Sequence, residues 1–522
     1  MDLLTNDRKV LEAYSTDASL FKVMPKWVAF PKNAEDVKEL IKIAREKGLS
    51  LTMRAAGSDM GGGPLNTGIV ADVTKFMNKV GEIRAEGTAV EPGVFYRDFE
   101  PKTLEKDLIL PCYTASKSLA ALGGMIANNC GGELSLRYGK MENFIVESKW
   151  VFADGNEYII KPGVIDNEYS RKVFELVKSN YKLLEKAKPK VAKNSAGYYL
   201  WNVCPSTSFG VKEENFDLNK LLVGSQGTLG VLTQATLRLV PVKKHHDLIV
   251  LFFNSWDELP KVVNAILPHE PQSLETFDKE TIKLGIRFMS EIAEKVHSNL
   301  LSFATKFLPE AWIGLKMGGL PELVVLVEVA EVSEEEVRIK REKILKALKP
   351  FNIHHRVIEK DSGEEKFWIV RRESFNLLRE HVKGKRTAPF IDDFCVPVQS
   401  VPEFLPKARA ILEEHNIKVN IAGHAGEGNF HIIPLMDLKL TSEREKLLPV
   451  AAAFYKLVAE YKGTTTGEHN DGIVRTPFLS AIYTPQVLEL FKQVKNIFDP
   501  ENIFNPGKKV DGTLEDFKKY LT

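Results

Sequence analysis

The chain is short of cysteine, of any surplus of one charge, and of long apolar runs. Its four cysteines, Cys112, Cys130, Cys204 and Cys395, are far apart and never form CxxC. That speaks against a disulfide framework, a zinc ribbon or an iron–sulfur cluster, and it suits a reducing compartment. Lys and Arg number 71 against 70 Asp and Glu, a net charge of +1, so no nucleic-acid partner is expected. No stretch approaches the roughly 18 apolar residues of a membrane-spanning helix. The N-terminal MDLLTNDRKVLEAYSTD lacks the apolar core of a signal peptide. The expectation is a cytoplasmic protein, with peripheral docking at a membrane left open. No GxGxxG occurs, so a Rossmann dinucleotide site is not supported.

What is present centres on AGHAGEGNFH, residues 422–431. On a straight strand His424 and His431 would point to opposite faces. The Gly426-Glu427-Gly428-Asn429 turn between them predicts a hairpin that brings both imidazoles to one side. Downstream, Gly467-Glu468-His469 adds a carboxylate and a third imidazole. Two His and one Glu with an open position form the ligand set of a catalytic Zn²⁺-type site. His469 would then be available as a base. The alternative is a pair of hairpin histidines satisfied by backbone hydrogen bonds.

At 522 residues the chain should hold two large cores. Asn33 caps a predicted helix over 33–48, whose stripe is Val37, Leu40, Ile41 and Ala44. Strands at 49–54 and 68–73 flank a glycine-rich loop, Arg54 to Gly63, of the kind whose backbone N–H groups hold a pyrophosphate. A second small-residue segment runs from Ala120 to Gly132, over which a flat ligand could lie against backbone. Alone, the first reads more readily as a flexible surface loop, and the second equally as close packing of helix on helix. A hairpin about Asp154-Gly155, a helix carrying Val173, Leu176, Val177 and Leu184, and a strand from Gly224 to Val240-Pro241 complete this half.

The second half reads as strand 247–253, helix 257–267, strand 323–329, helix 334–348 and strand 353–358. That order predicts an antiparallel ferredoxin-like sheet. Residues 279–320, with Met289, Phe303, Phe307 and Trp312, read as a helical insertion capping the site, with a membrane-docking surface as the minority reading. A helix over 364–382 presents Ile369, Arg372 and Phe375 on one side and Arg371 roughly 100° away. An arginine there can grip a carboxylate with two hydrogen bonds; the alternative is a solvated charged face.

Taken together, these stretches resemble the FAD-linked 2-hydroxyacid dehydrogenases of the vanillyl-alcohol oxidase, or PCMH-type, flavoproteins. Arg54–Gly63 resembles that family's pyrophosphate loop, Gly123–Gly132 its IGGMIANNAGG segment, and Gly224–Val231 its GSEGTLGI motif. Asp499–Lys508 is similar to its closing DPxNxxNPGK signature, and GHAGEGNFH and GEH to its GHxGDGNxH and EHG motifs. The resemblance implies an α+β fold: a two-subdomain PCMH-type FAD domain over 23–243 and a ferredoxin-like substrate and metal domain over 244–510. A helical segment, 1–22, precedes them and a tail, 511–522, follows. It implies FAD contacts from Arg54, Ala56, Gly57, Ser58, Asp59, Met60, Gly61, Pro92, Gly93, Pro111, Ser116, Gly123, Gly124, Asn128, Asn129, Gly131, Gly132, Tyr138, Gly139, Gln226, Gly227, Gly230, Val231 and Asn505. With no histidine in the Arg54–Gly63 loop, FAD is expected to be non-covalent. His424, His431 and Glu468 would hold a divalent metal, zinc first, with manganese or iron(II) also compatible. His469 would be the catalytic base. Arg371, at the matching position of the family's WxxR motif, would bind the substrate carboxylate.

The implied reaction is oxidation of a D-2-hydroxy acid to the 2-oxo acid. Electrons would leave to a quinone, an electron-transfer flavoprotein or an iron–sulfur partner subunit, and a homodimer is left open. Members that oxidise 2-hydroxyglutarate carry Thr, Lys and Asn where this chain has Phe375, Ile391 and Ile433. A second substrate carboxylate against that apolar wall would be costly, so the expectation is a D-lactate-like monocarboxylate. The competing readings are D-2-hydroxyglutarate oxidation, an alcohol oxidase, an alkylglycerone-phosphate-synthase-like enzyme, and a non-catalytic FAD relay subunit.

Overall fold

The computed structural model describes residues 3–205, 211–295, 304–305, 307–359, 363–381 and 384–522. The side chains of 295 and of 373–380 also lie outside the described residues, so the expectations for Phe303 and for the Phe375 side chain fall there.

Two four-stranded sheets build the first half. In the first, the strands run in the order Leu4–Thr5, Trp27–Ala29, Ile69–Asp72, Leu51–Arg54. The last three are mutually parallel, so a crossover must join them. Helix Ala34–Glu46 supplies one crossover, its first turn capped by the Asn33 side chain accepting from the Asp36 N–H at 3.0 Å. Val37, Leu40, Ile41 and Ala44 are its buried stripe, as the spacing predicts. The second sheet is antiparallel, ordered Thr88–Val90, Val231–Leu237, Ile145–Val151, Glu157–Ile160. Helix Glu168–Ala187 packs in the same core through Val173, Phe174 and Val177. The strand expected from Gly224 starts later, at Val231. Residues before it form a turn in which Gln226 is left-handed, φ 53°, a conformation a strand does not use.

The second half is one seven-stranded antiparallel sheet. Its order is His354–Glu359, His245–Phe253, Leu323–Glu331, Ser273–Asp278, Ile421–His424, Asn429–Ile432, Phe394–Cys395. The first four strands have the ferredoxin-like order, fourth, first, third, second. Side chains alternate across the sheet. Ile249, Leu251, Phe253 and Leu274 pack with helices Leu259–Ile266 and Glu334–Leu348. Leu248, Val250, Phe252 and Phe277 pack with Phe367, Trp368 and Val370 of helix Glu365–His381.

The sequence reading omits strand Ser273–Asp278. All six of its residues are buried, including Glu275 and Asp278, so it carries no apolar alternation to see. This strand joins the ferredoxin-like core to the histidine hairpin, with Glu275 paired opposite His424. The insertion is helical in its described parts, Lys279–Arg287, Met289–Lys295 and Leu308–Met317. Phe307 packs on the core there, whereas Trp312 is exposed. Among the described residues no helix is long and apolar enough to cross a membrane, and all four cysteines are buried thiols.

Candidate active site

The glycine-rich segments converge. Asp59 accepts from the N–H groups of Gly61 (2.6 Å) and Gly63 (3.0 Å) and from Asn128 Nδ2 (2.9 Å). Asn128 Oδ1 accepts from Gln226 Nε2 at 3.3 Å. Asn505 donates to the carbonyls of Gly63 (2.9 Å) and Gln226 (2.7 Å) and accepts from Thr52 Oγ1 (2.8 Å). Four segments separated in sequence are thus tied into one loop cluster. Among the described residues, none accepts from the backbone N–H of Ala56, Gly57, Ser58, Asp59 or Met60. A short row of unpaired backbone donors beside the Arg54 guanidinium fits a pyrophosphate.

Two glycines are set by close approach. A Cβ on Gly93 would fall 2.2 Å from the Val73 carbonyl oxygen, and one on Gly132 2.0 Å from that of Tyr113. The Pro92 carbonyl accepts from Gly123 N–H at 2.7 Å, Pro111 is buried, and Ser116 is exposed. Gly124 opens toward Ala55, and Gly131 lies against Glu468. Tyr138 and Gly139 end a short helix, Ser135–Tyr138. Asn129, left-handed at φ 50°, accepts from Glu142 N–H. Gly230 packs on Phe152 and Val231 sits in the core, while Gly227 has open space at its Cβ position. Asn505 is the keystone: Asn505→Ala leaves two buried carbonyls without donors. It is expected to lose about 1–3 kcal/mol of stability and to release flavin, read by thermal unfolding and by flavin absorbance after dialysis.

The hairpin forms as its turn residues predict, Ile421–His424 pairing with Asn429–Ile432. It brings the imidazoles together. His424 Nε2 lies 3.5 Å from His431 Nε2 and 3.5 Å from Glu468 Oε1. Tetrahedral zinc with bonds of about 2.0–2.1 Å sets its ligand atoms roughly 3.3 Å apart, so these spacings fit such an ion. Asp393, His431, Glu468 and His469 also place one ligand atom each within 4.8 Å of one another. The donor set is therefore wider than the two histidines and one glutamate expected from the motifs.

Each ring is oriented from behind. His424 Nδ1 donates to Glu275 at 2.6 Å. Asp392 lies 3.3 Å from His431 Nδ1 and 2.8 Å from His469 Nδ1, leaving both Nε2 atoms turned away from it. The rings of His431 and His469 stack at 5.1 Å. Asp393 accepts from the backbone N–H of Glu468 (2.8 Å) and His469 (2.6 Å), which fixes the loop. Burial works against the charge on these rings, but the facing carboxylates prevail. Glu275 raises His424 to about 9, and Asp393 and Asp392 raise His469 to about 9. Asp392 is buried, which would raise it, yet His469 and His431 hold it well below the usual carboxylate range.

Arg371 is buried and pairs with Glu275, with Glu133 3.7 Å away; Arg372 is the residue that grips Glu133, Nε at 2.8 Å. Lys193, from the first half of the chain, bridges Glu427 at 2.7 Å and Glu468 at 2.5 Å. Burial lowers a lysine pKa, but the two glutamates hold this one above its ordinary value. The sequence reading gives no site role to Asp392, Glu275 or Lys193 and places Glu427 only in the hairpin turn. The Asp392-Asp393 pair, buried beside a hairpin rich in histidine, was the one available signal. Lys193 and Glu275 give none, since a single charged residue reads as surface.

The model described as "FAD binding domain" matches residues 25–160, and that described as "FAD linked oxidases, C-terminal domain" matches residues 242–509. A D-2-hydroxyglutarate dehydrogenase of Haemophilus influenzae is 25% identical over 97% of this chain and 50% of its own length. The chain thus spans about half the length of the curated relatives of that kind. A D-lactate dehydrogenase of Archaeoglobus fulgidus is 28% identical over 92% of this chain and 91% of its own. A solved structure of p-cresol methylhydroxylase with substrate bound shares the fold, with a TM-score of 0.69 at 14% identity over 98% of this chain and 94% of that one. The two matches together cover most of the chain, and the chain belongs to the FAD-linked oxidases.

Proposed function

We propose that this chain oxidises a D-2-hydroxy acid, of D-lactate-like size, to the 2-oxo acid. The observation that carries the reading is one cluster: His469, with Nδ1 2.8 Å from the Asp392 carboxylate, beside the facing nitrogens of His424 and His431 and the carboxylate of Glu468. Buried Arg371 joins it through Glu275. The names of the relatives, D-lactate and D-2-hydroxyglutarate dehydrogenases, support the substrate class.

The glycine cluster would hold FAD non-covalently, and FAD would supply the acceptor for the hydride leaving Cα. His424, His431 and Glu468 would hold a divalent cation, zinc first, which would supply Lewis-acid polarisation of the α-hydroxyl. The chain does the rest. Arg371 fixes the carboxylate and so the direction of the Cα–H bond. His469, in its neutral form, would accept the hydroxyl proton at Nε2, with its Nδ1 2.8 Å from the Asp392 carboxylate. Lys193 offsets one of the two negative charges of Glu427 and Glu468, which lessens repulsion of an anionic substrate. Electrons would pass on to a quinone, an electron-transfer flavoprotein or an iron–sulfur partner.

Within the class, the apolar side chains set the preference. Ile391 is fully buried and Ile433 half-buried, and neither can pair with a second carboxylate. A missing buried polar partner costs about 1–3 kcal/mol. The kcat/KM for D-lactate is therefore expected to exceed that for D-2-hydroxyglutarate by roughly tenfold or more. Comparable values from steady-state assays of the purified protein would refute the monocarboxylate assignment and favour the dicarboxylate.

A further inference from the structure

We infer that Glu275 is a positioning residue that locks the acid-binding arginine and the metal-side imidazole to one carboxylate, and so sets the span between the two ends of the substrate. This rests on the hydroxy-acid reading above. Glu275 lies at the centre of strand Ser273–Asp278, directly opposite His424 in the sheet. One oxygen accepts from His424 Nδ1 at 2.6 Å. The other forms an ion pair with Arg371 Nη2, outside hydrogen-bond geometry. The side chain is 1% exposed, so water cannot replace either partner.

Both partners are donors, and each is left with the atom that function needs. Donation from Nδ1 fixes the tautomer of the neutral His424 ring, so that Nε2 is the atom facing His431 and Glu468. The Arg371 Nε–H is buried without a hydrogen-bond partner among the described residues. A donor left in this way, on an arginine already held by Nη2, is suited to a carboxylate that arrives with the substrate. Glu133 does not duplicate this role. It is held by Arg372 and lies 3.7 Å from Arg371. The strand offers a rigid mount, because Ser273–Asp278 is paired on both edges.

Glu275→Gln keeps the shape but offers one acceptor where two donors must be met. It is expected to weaken zinc binding by about 10–100-fold, measured by competition with a chromophoric chelator in the absence of substrate. It is also expected to raise the KM for D-lactate by about tenfold or more, since one carboxylate contact is misplaced. Thermal unfolding of the flavin-loaded protein monitors folding. If Glu275→Gln does not fold, Glu275→Asp, which keeps the charge but shortens the reach, is measured with the same expected outcome. A zinc affinity and a KM that both stay within threefold of wild type in a folded variant would overturn the inference. Wild-type protein that takes up no zinc and whose flavin D-lactate does not reduce would instead overturn the hydroxy-acid reading on which it rests.

Discussion

His469→Gln is expected to slow flavin reduction by D-lactate by about 10²–10⁴-fold, with flavin and metal still bound. The side chain is partly exposed, and its Nδ1 lies 2.8 Å from the buried Asp392 carboxylate. The loop it sits on is held by backbone bonds to Asp393, which do not depend on the ring. Glutamine can donate to Asp392 but cannot accept a proton as a base. Rapid mixing under saturating substrate reads the reduction step itself. A change below about tenfold would remove His469 as the base. It would then fall to the four-residue donor group with Asp393, His431 and Glu468.

Stripping the metal has the other large expected effect. Lewis-acid stabilisation of several kcal/mol corresponds to roughly a 10³-fold loss of turnover on chelation, reversed by added zinc. His431→Ala should mimic the loss and resist the rescue, because its Nε2 forms one edge of the proposed site. The pH dependence follows from the ion-free protein. His424 and His469 are both raised to about 9 there, above the ordinary value of about 6.5. Their charged forms therefore stabilise the ion-free fold at low pH, and that contribution is lost as pH rises through about 9. A metal needs the neutral ring, so zinc affinity should climb as pH rises from about 6.5 toward 9. Zinc titrations across that window check it; an affinity independent of pH would contradict it.

The hairpin was readable because Gly426-Glu427-Gly428-Asn429 specifies a turn by local chemistry alone. Helix Ala34–Glu46 was readable for the same kind of reason: a cap and an apolar stripe. The glycine segments announced flavin only as a set, since their joint is Asn505, bonded to Thr52 across 453 residues. The supporting charges were not readable. Glu275 finds His424 across 149 residues, and Lys193 finds Glu468 across 275. No local pattern marks a carboxylate that will be buried between two distant donors. Arg371 was assigned to the substrate from its motif. Its resting partner, Glu275, sits on a strand that the apolar pattern concealed.

The central claim is that an imidazole-and-carboxylate cage and a non-covalent flavin act on one hydroxy acid. It is tested most directly by adding D-lactate to flavin-loaded, zinc-replete protein without oxygen and recording the visible spectrum. Bleaching of the yellow chromophore within the mixing experiment, abolished by prior chelation and restored by zinc, is the predicted result. A yellow protein that no 2-hydroxy acid bleaches, or that bleaches equally well after the metal is removed, would contradict it.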